Sequence, residues 1–312
     1  MKILIVCSQN SGHIAPFIQE QGDALSLLGA EIAYFPIEGK GLLGYLKNRK
    51  RLIQRIKEFF PDLIHAHYGL SGLLANLQRK IPVITTYHGS DINTAKVYPL
   101  SRLNMMLSAH NIFVSEKITP KSPKGDLRDR KKDSMIPCGV DTSLFLPMEK
   151  AGARSMLDLD AEKKYVLFAG AYTNPVKNPD LAKKAVEILT DVNLIELQGY
   201  SREEVAMLLN AVDAVLMTSF TEGSPQIIKE ALACNCPVVS VSVGDVENII
   251  TGIPGCFIST YQPTDVALKL QQALDFGKRT EGRDRISELG LDSETVARKV
   301  LEVYEIVVND KW

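Results

Sequence analysis

Two carboxylates, Glu222 and Glu230, stand eight residues apart in Glu222-Gly223-Ser224-Pro225-Gln226-Ile227-Ile228-Lys229-Glu230. Ser224-Pro225 reads as the opening of a helix that runs to about Cys234. The first acid then sits just before the helix and the second lies two turns inside it. A helix start presents free amides and a positive dipole end to an anion. An acid on each side can accept hydrogen bonds from hydroxyls. The pattern fits a ligand with a central anion and a polyol at each end, which is the layout of a nucleoside diphosphate sugar.

A second group is Thr86-Tyr87-His88-Gly89-Ser90-Asp91, which follows an apolar run at 83–86. A histidine at the carboxyl end of a strand faces the ligand side of an α/β sheet. Asp91 is placed to hold His88 or a sugar hydroxyl; a histidine satisfied by local hydrogen bonds is the plainer alternative. A third group is the loop Ser8-Gln9-Asn10-Ser11-Gly12-His13, whose small residues let backbone amides approach an anion. It is not G-x-G-x-x-G and has no P-loop lysine, so neither dinucleotide nor P-loop binding follows, and a plain strand-to-helix turn reads equally well.

Other chemistry-bearing residues point to structure. Cys234 and Cys236 lack a companion His/Cys pair and read as buried thiols. His65 and His67 flank a strand end and read as core or cleft-edge histidines. Asp158-Leu159-Asp160 is expected to begin a helix, and no acidic cluster suits Mg²⁺. The run Lys47–Lys57 reads as a basic amphipathic helix. Its charged side is either solvated or in contact with an anionic membrane. Nucleic-acid binding is not supported, since no aromatic residues interleave with the charge.

The elements that must position these residues alternate strand and helix. Apolar runs at 2–7, 31–35, 63–66, 83–86 and 112–114 predict strands, with a helix from Pro16 to about Leu28. The rhythm breaks over 120–133, which reads as an exposed loop, and over 141–164, where a domain junction is expected. It restarts with strands at 165–169, 193–198, 214–218 and 238–241. Asn178-Pro179 is expected to cap a helix, and Ser201 with Glu204 is a capping-box signature. Helices are expected at 264–276 and 293–308. The fold class is therefore α/β, with two Rossmann-like doubly wound parallel sheets and a cleft between them. The expected domains are 1–150, 151–292, and a final helix in 293–312 that crosses back to the first.

Composition agrees with a globular chain. Of 312 residues 45% are hydrophobic and 23% charged, which excludes disordered and collagen-like classes. No apolar run reaches membrane-spanning length, and the N-terminal run is too short for a secretory signal. Five cysteines, an odd and scattered set, suit a reducing compartment. Cytoplasmic placement, at the inner face of the cell membrane if the basic helix binds there, is the expectation. The formal net charge of −1 hides a first half (1–150) of +7 and a second half of −8.

With these motifs in place the chain resembles the retaining GT-B glycosyltransferases of family 4 (glycosyl transferases group 1), whose signature is E-x7-E. Ile14-Ala15-Pro16-Phe17, His88-Gly89-Ser90-Asp91, Ile136-Pro137-Cys138-Gly139-Val140-Asp141, Val176-Lys177-Asn178-Pro179 and Gly244-Asp245-Val246 occur in family order. The resemblance implies transfer of a hexose or related sugar from a nucleotide sugar, by expectation a UDP-sugar. The expected acceptor is a glycan or lipid-linked glycan in cell-surface polysaccharide synthesis. Neither cofactor nor metal is expected.

It assigns Glu222 and His88 to the donor hexose and reaction centre, and Lys177 to the leaving phosphate. Glu230 goes to the ribose, Ser224, Gln226 and Ile227 to the helix start that holds the diphosphate, and Gly12 to packing against it. Gly199 and Tyr200 lie where the family holds the base. The family's usual arginine six residues before the lysine is Ala171 here. A GT-B epimerase, or a GT-B protein that binds nucleotide sugar without turnover, are the alternatives.

Overall fold

The computed structural model describes residues 1–118, 121–122, 125–126 and 132–309. Most of the loop expected over 120–133 lies outside the described residues. The chain forms two compact units: Met1–Gly139 with Ser293–Trp312, and Val140–Asp292. The division falls at Gly139/Val140 rather than at residue 150, because the intervening residues pack on the second unit. Val140 bridges to Asp292, and Phe145 is buried in the second core. Among the described residues, no helix is long and apolar enough to cross a membrane.

The first unit holds strands β1 (Lys2–Ser8), β2 (Glu31–Ile37), β3 (Leu63–His67), β4 (Val83–Tyr87) and β5 (His110–Phe113). A small antiparallel pair, β6 (Lys121–Ser122) and β7 (Gly125–Asp126), precedes β8 (Asp133–Met135). The six main strands form one parallel sheet in the order β2-β1-β3-β4-β5-β8. Strand β1 is a continuous apolar run because both sheet faces are covered. Successive residues serve opposite faces: Ile3, Ile5 and Cys7 join one core, and Leu4 and Val6 the other. The first core is closed by the helices Pro16–Leu27 and Ser293–Asn309, the second by Arg49–Phe59 and Gly69–Asn76.

The second unit repeats the plan with β9 (Lys164–Phe168), β10 (Val192–Glu196), β11 (Ala214–Met217), β12 (Val238–Val241) and β13 (Phe257–Ser259). All are parallel, in the order β10-β9-β11-β12-β13. Within each unit the order reverses beside the first strand. The switch points, where α/β sheets bind ligands, therefore lie at the carboxyl ends of β1 and β3 in one unit and of β9 and β11 in the other.

Expected strands appear with ends shifted by one or two residues. Strands β8 and β13 are additions, since Asp133-Ser134-Met135 carries no apolar run and β13 is only three residues long. The helix expected to begin at Asp158 lies instead at Lys150–Met156, before it. Asp158 adopts φ 54° in the turn that follows. Arg154 fixes that helix: its guanidinium is buried against Asp213 at 2.9 Å, and Lys150 joins the same carboxylate.

The terminal helix is anchored by one polar contact. Tyr304 is fully buried, and its hydroxyl meets His65 Nδ1 at 2.6 Å, while His65 Nε2 meets Thr86 Oγ1 at 2.7 Å. Tyr304→Phe keeps the packing and strands one buried ring nitrogen. It is expected to lower stability by about 1–3 kcal/mol, read from the urea midpoint at unchanged secondary structure.

Candidate functional site

The second unit gathers its charged residues at the carboxyl ends of β9 and β11. Glu222 lies in the loop after β11, and Lys177 ends the short 3-10 turn Pro175–Lys177 after β9. Their side chains meet at 2.6 Å, Lys177 Nζ to Glu222 Oε1. The two loops are stitched together: Thr218 Oγ1 donates to the carbonyls of Lys177 and Asn178, and the Phe220 amide to that of Val176. Gly170 makes room for the lysine stem, because a Cβ there would stand 2.6 Å from Lys177 Cγ. Gly244 does the same beneath Glu222, at φ +55°, where a Cβ would stand 2.6 Å from the Gly223 carbonyl oxygen.

The helix between the two acids is Gln226–Ala233. Pro225 occupies its N-cap position with φ −69° and ψ 122° and makes no side-chain cap bond. Ser224 is the local candidate for a cap, but its hydroxyl donates to Asp245 Oδ2 at 2.6 Å. Gln226 and Ile227 stand at the first turn, with Gln226 Oε1 accepting from the buried Lys229 at 3.0 Å.

Glu230 is 2% exposed, and its Oε1 accepts from Arg202 Nη2 at 2.8 Å. Arg202 also stacks over the Phe145 ring, 4.8 Å from its centroid. It opens the helix Arg202–Ala211, whose capping box joins Ser201 and Glu204. The preceding loop carries Gly199 at φ +83° and an exposed Tyr200. Asn178 holds the N-cap position of helix Pro179–Val186, but at φ 55° and without a side-chain cap bond. Its contribution is the left-handed turn and not the expected capping bond.

In the first unit His88 follows β4. Its Nε2 meets His67 Nδ1 at 3.0 Å, and its Nδ1 lies 3.7 Å from Cys138 Sγ. The rings of His65, His67 and His88 form a ladder with centroids 4.5 and 5.2 Å apart, flanked by Phe17 and Tyr68 on His88. Asp91 does not touch the His88 ring. It is buried and accepts from the amides of His88, Gly89 and Gly69 at 3.0–3.1 Å, so it shapes the loop. Gly12 turns the loop after β1 at φ +93°, with open space where a Cβ would stand.

Sequence reasoning missed Arg202 as the partner of Glu230, the buried Lys229 and the Tyr304–His65 anchor. Only the basic residue beside the expected base loop could have hinted at the first; nothing local marks the others. The basic helix spans Arg49–Phe59, with Leu52 buried in the core and Arg49, Lys50 and Lys57 in solvent. Cys234 and Cys236 are free and buried, and burial pushes the Cys234 thiol up to about 12. Among the described residues, no three His, Cys, Asp or Glu side chains converge as metal ligands do.

Two parallel α/β units of this order define the GT-B fold, and solved structures with that fold superpose on the chain. Sucrose-phosphate synthase of Thermosynechococcus elongatus aligns at a TM-score of 0.84 and 17% identity, covering 99% of each chain. Anabaena HepE in complex with UDP aligns at 0.74 and 16% identity, covering 98% of this chain and 100% of that one.

Residues 5–144 match the family described as Glycosyltransferase Family 4 and residues 161–275 that described as Glycosyl transferases group 1. The chain belongs to these glycosyltransferases. A D-inositol 3-phosphate glycosyltransferase of Mycolicibacterium gilvum is 25% identical over 270 residues, 72% of this chain. The match spans 61% of that relative's length.

Three buried histidines, His65, His67 and His110, make stability depend on pH. Burial holds His65 down to about 3 and, with the Lys132 charge, His110 down to about 4. Burial, with the rings of His65 and His88, keeps His67 well below the usual histidine value. Unfolded histidine takes a proton near 6.5, so the stability these neutral rings carry above that value is lost as pH falls. Asp91 works the other way. Burial pushes its carboxyl up to about 6 from 3.8, so it favours the folded state as pH falls through that window. Three rings outweigh one carboxyl. Between about pH 6.5 and 4 stability should fall, by up to ~1.4 kcal/mol per ring per pH unit. Urea midpoints across that range test this; a flat profile would contradict neutral burial of the rings.

Proposed function

We propose that the chain transfers a sugar from a nucleotide diphosphate donor, with retention of anomeric configuration, to a glycan or lipid-linked glycan. One observation carries this reading. The start of helix Gln226–Ala233, whose N-cap Pro225 makes no side-chain cap bond, is bracketed by Glu222 and Glu230, each held by a cation. Helix-end amides suit a diphosphate. On the second unit Glu222 takes the hexose side and Glu230 the ribose side, with Ser224, Gln226 and Ile227 along the diphosphate and the Gly199–Tyr200 loop at the base; on the first unit His88 serves the hexose and Gly12 the diphosphate. A UDP donor is supported by the fold relative solved with UDP.

In the reaction the acceptor hydroxyl oxygen bonds to the anomeric carbon as the bond from that carbon to the diphosphate oxygen breaks. The electron pair leaves with the diphosphate, and the hydroxyl proton passes to the departing phosphate oxygen. Negative charge therefore grows beside Lys177 and the helix amides. Preorganised donors aimed at growing charge are worth about 2.7–4 kcal/mol each. Ala171 provides no charge where the family usually places an arginine, which leaves Lys177 the larger share.

Lys177→Ala is expected to lower turnover roughly 100-fold or more with a smaller change in nucleotide affinity. Glu230→Ala is expected to weaken nucleotide binding first. Nucleotide-release assays paired with calorimetry on UDP separate the two. Unchanged values in both variants would remove the assignment, and binding without turnover across donors would leave an inert binding protein.

Contact with an anionic membrane through the Lys47–Lys57 region is part of the same proposal. Because Leu52 is committed to the core, that contact is electrostatic and not an insertion. Co-sedimentation with phosphatidylglycerol vesicles should fall with salt and with the Arg49→Glu/Lys50→Glu pair. Salt-independent binding, or none, would count against it.

A further inference from the structure

A cavity of about 480 Å³ opens in the first unit where β1, β3 and β4 end. Ser8, Ser11, Ser90, Tyr45 and Tyr68 are among the residues that line it. Among the described residues that line it, none is a lysine, arginine or histidine. Asp91 is the acid in the wall. Its two oxygens are taken up by three backbone amides, so its charge is fixed in place with no cation beside it in the lining.

Tyr68 adds an independent observation. It stands at φ 74°, ψ 147°, a region open almost only to glycine. Such a conformation costs on the order of 1–3 kcal/mol and persists only when the surroundings enforce it. Here it precedes the helix Gly69–Asn76 as a residue of the cavity lining, with its ring 4.6 Å from the His88 ring. Glycine would fit the backbone better and would lack the ring.

The two features select the same chemistry. Aromatic rings offer an apolar face to the C–H face of a sugar ring, and serine hydroxyls match its hydroxyls in either hydrogen-bond direction. A phosphate group entering the same space would lose water, find no cation and approach a carboxylate. We propose that this cavity receives the acceptor and selects one whose entering part is an uncharged sugar or cyclitol, rejecting its phosphorylated counterpart. The proposal rests on the glycosyl-transfer reading above for the word acceptor.

The test uses the whole chain and matched probes: myo-inositol against myo-inositol 1-phosphate, and methyl glucoside against glucose 6-phosphate. Ligand-observed NMR and calorimetry give affinities with and without UDP. The neutral member of each pair should bind at least about tenfold tighter. Thr94→Lys places a cation on the exposed rim and should close or invert that gap. Tyr68→Phe should keep neutral binding, whereas Tyr68→Gly should abolish it at unchanged UDP affinity, a split that loss of folding would not give. Equal or tighter binding of the phosphorylated members, or binding of neither, overturns the selection. UDP affinity in the same samples reports separately on the nucleotide site. Retained UDP binding with a phosphate preference sinks this inference alone, and neutral binding without UDP binding sinks the donor reading alone.

Discussion

A carboxylate out of water must have a partner, and the second unit places two of them at one edge of its sheet. Glu230 is buried and Glu222 nearly so, and each is held by a cation, Arg202 and Lys177. Loss of either cation would leave an uncompensated charge in a poorly solvated place. Much of the local architecture follows from that need. Gly170 is bare so that the lysine stem can pass, Thr218 ties the lysine loop to the glutamate loop, and Phe145 supports the guanidinium. At the start of the helix Gln226–Ala233 the N-cap proline makes no side-chain cap bond, and the nearby Ser224 hydroxyl donates to Asp245.

The first unit solves its polar burial differently. Its switch point is built from a ladder of histidines, from hydroxyls, and from a carboxylate held by backbone amides. Burial keeps the His65 and His67 rings uncharged, and Asp91 needs no cation because three N–H groups converge on it. Two sheets of the same winding thus satisfy their buried acids differently, one with side-chain cations and one with backbone amides. The topology fixes where chemistry can occur, and the residues at the strand ends decide which chemistry it is.

What could be read from the sequence was whatever is local. Apolar runs such as Lys2–Cys7 mark buried strands, Ser201 and Glu204 mark a helix start, and the spacing of Glu222 and Glu230 marks a bracketed helix. What escaped reading depends on distant partners. Arg202 lies 28 residues from Glu230, and His65 lies 239 residues from Tyr304. Asp91 looked like a side chain aimed at a ligand or at His88, yet its oxygens turn to backbone amides that no sequence pattern displays. Asp158-Leu159-Asp160 resembled a helix start, but the Arg154–Asp213 pair draws the helix to the residues before it. Strand β8 has no apolar run and is recruited by its neighbour β5 alone.

The anchoring of Ser293–Asn309 on the sheet of the first unit has a bearing on biosynthesis. A ribosome releases the first five strands of that sheet long before the helix that seals one of its faces. Until then Ile3, Ile5 and Cys7 lack their final cover, while residues 140–292 already hold everything their own core requires. The unit that starts the chain is therefore the last to mature, and shielding of that naked apolar face during translation falls to whatever meets the nascent polypeptide.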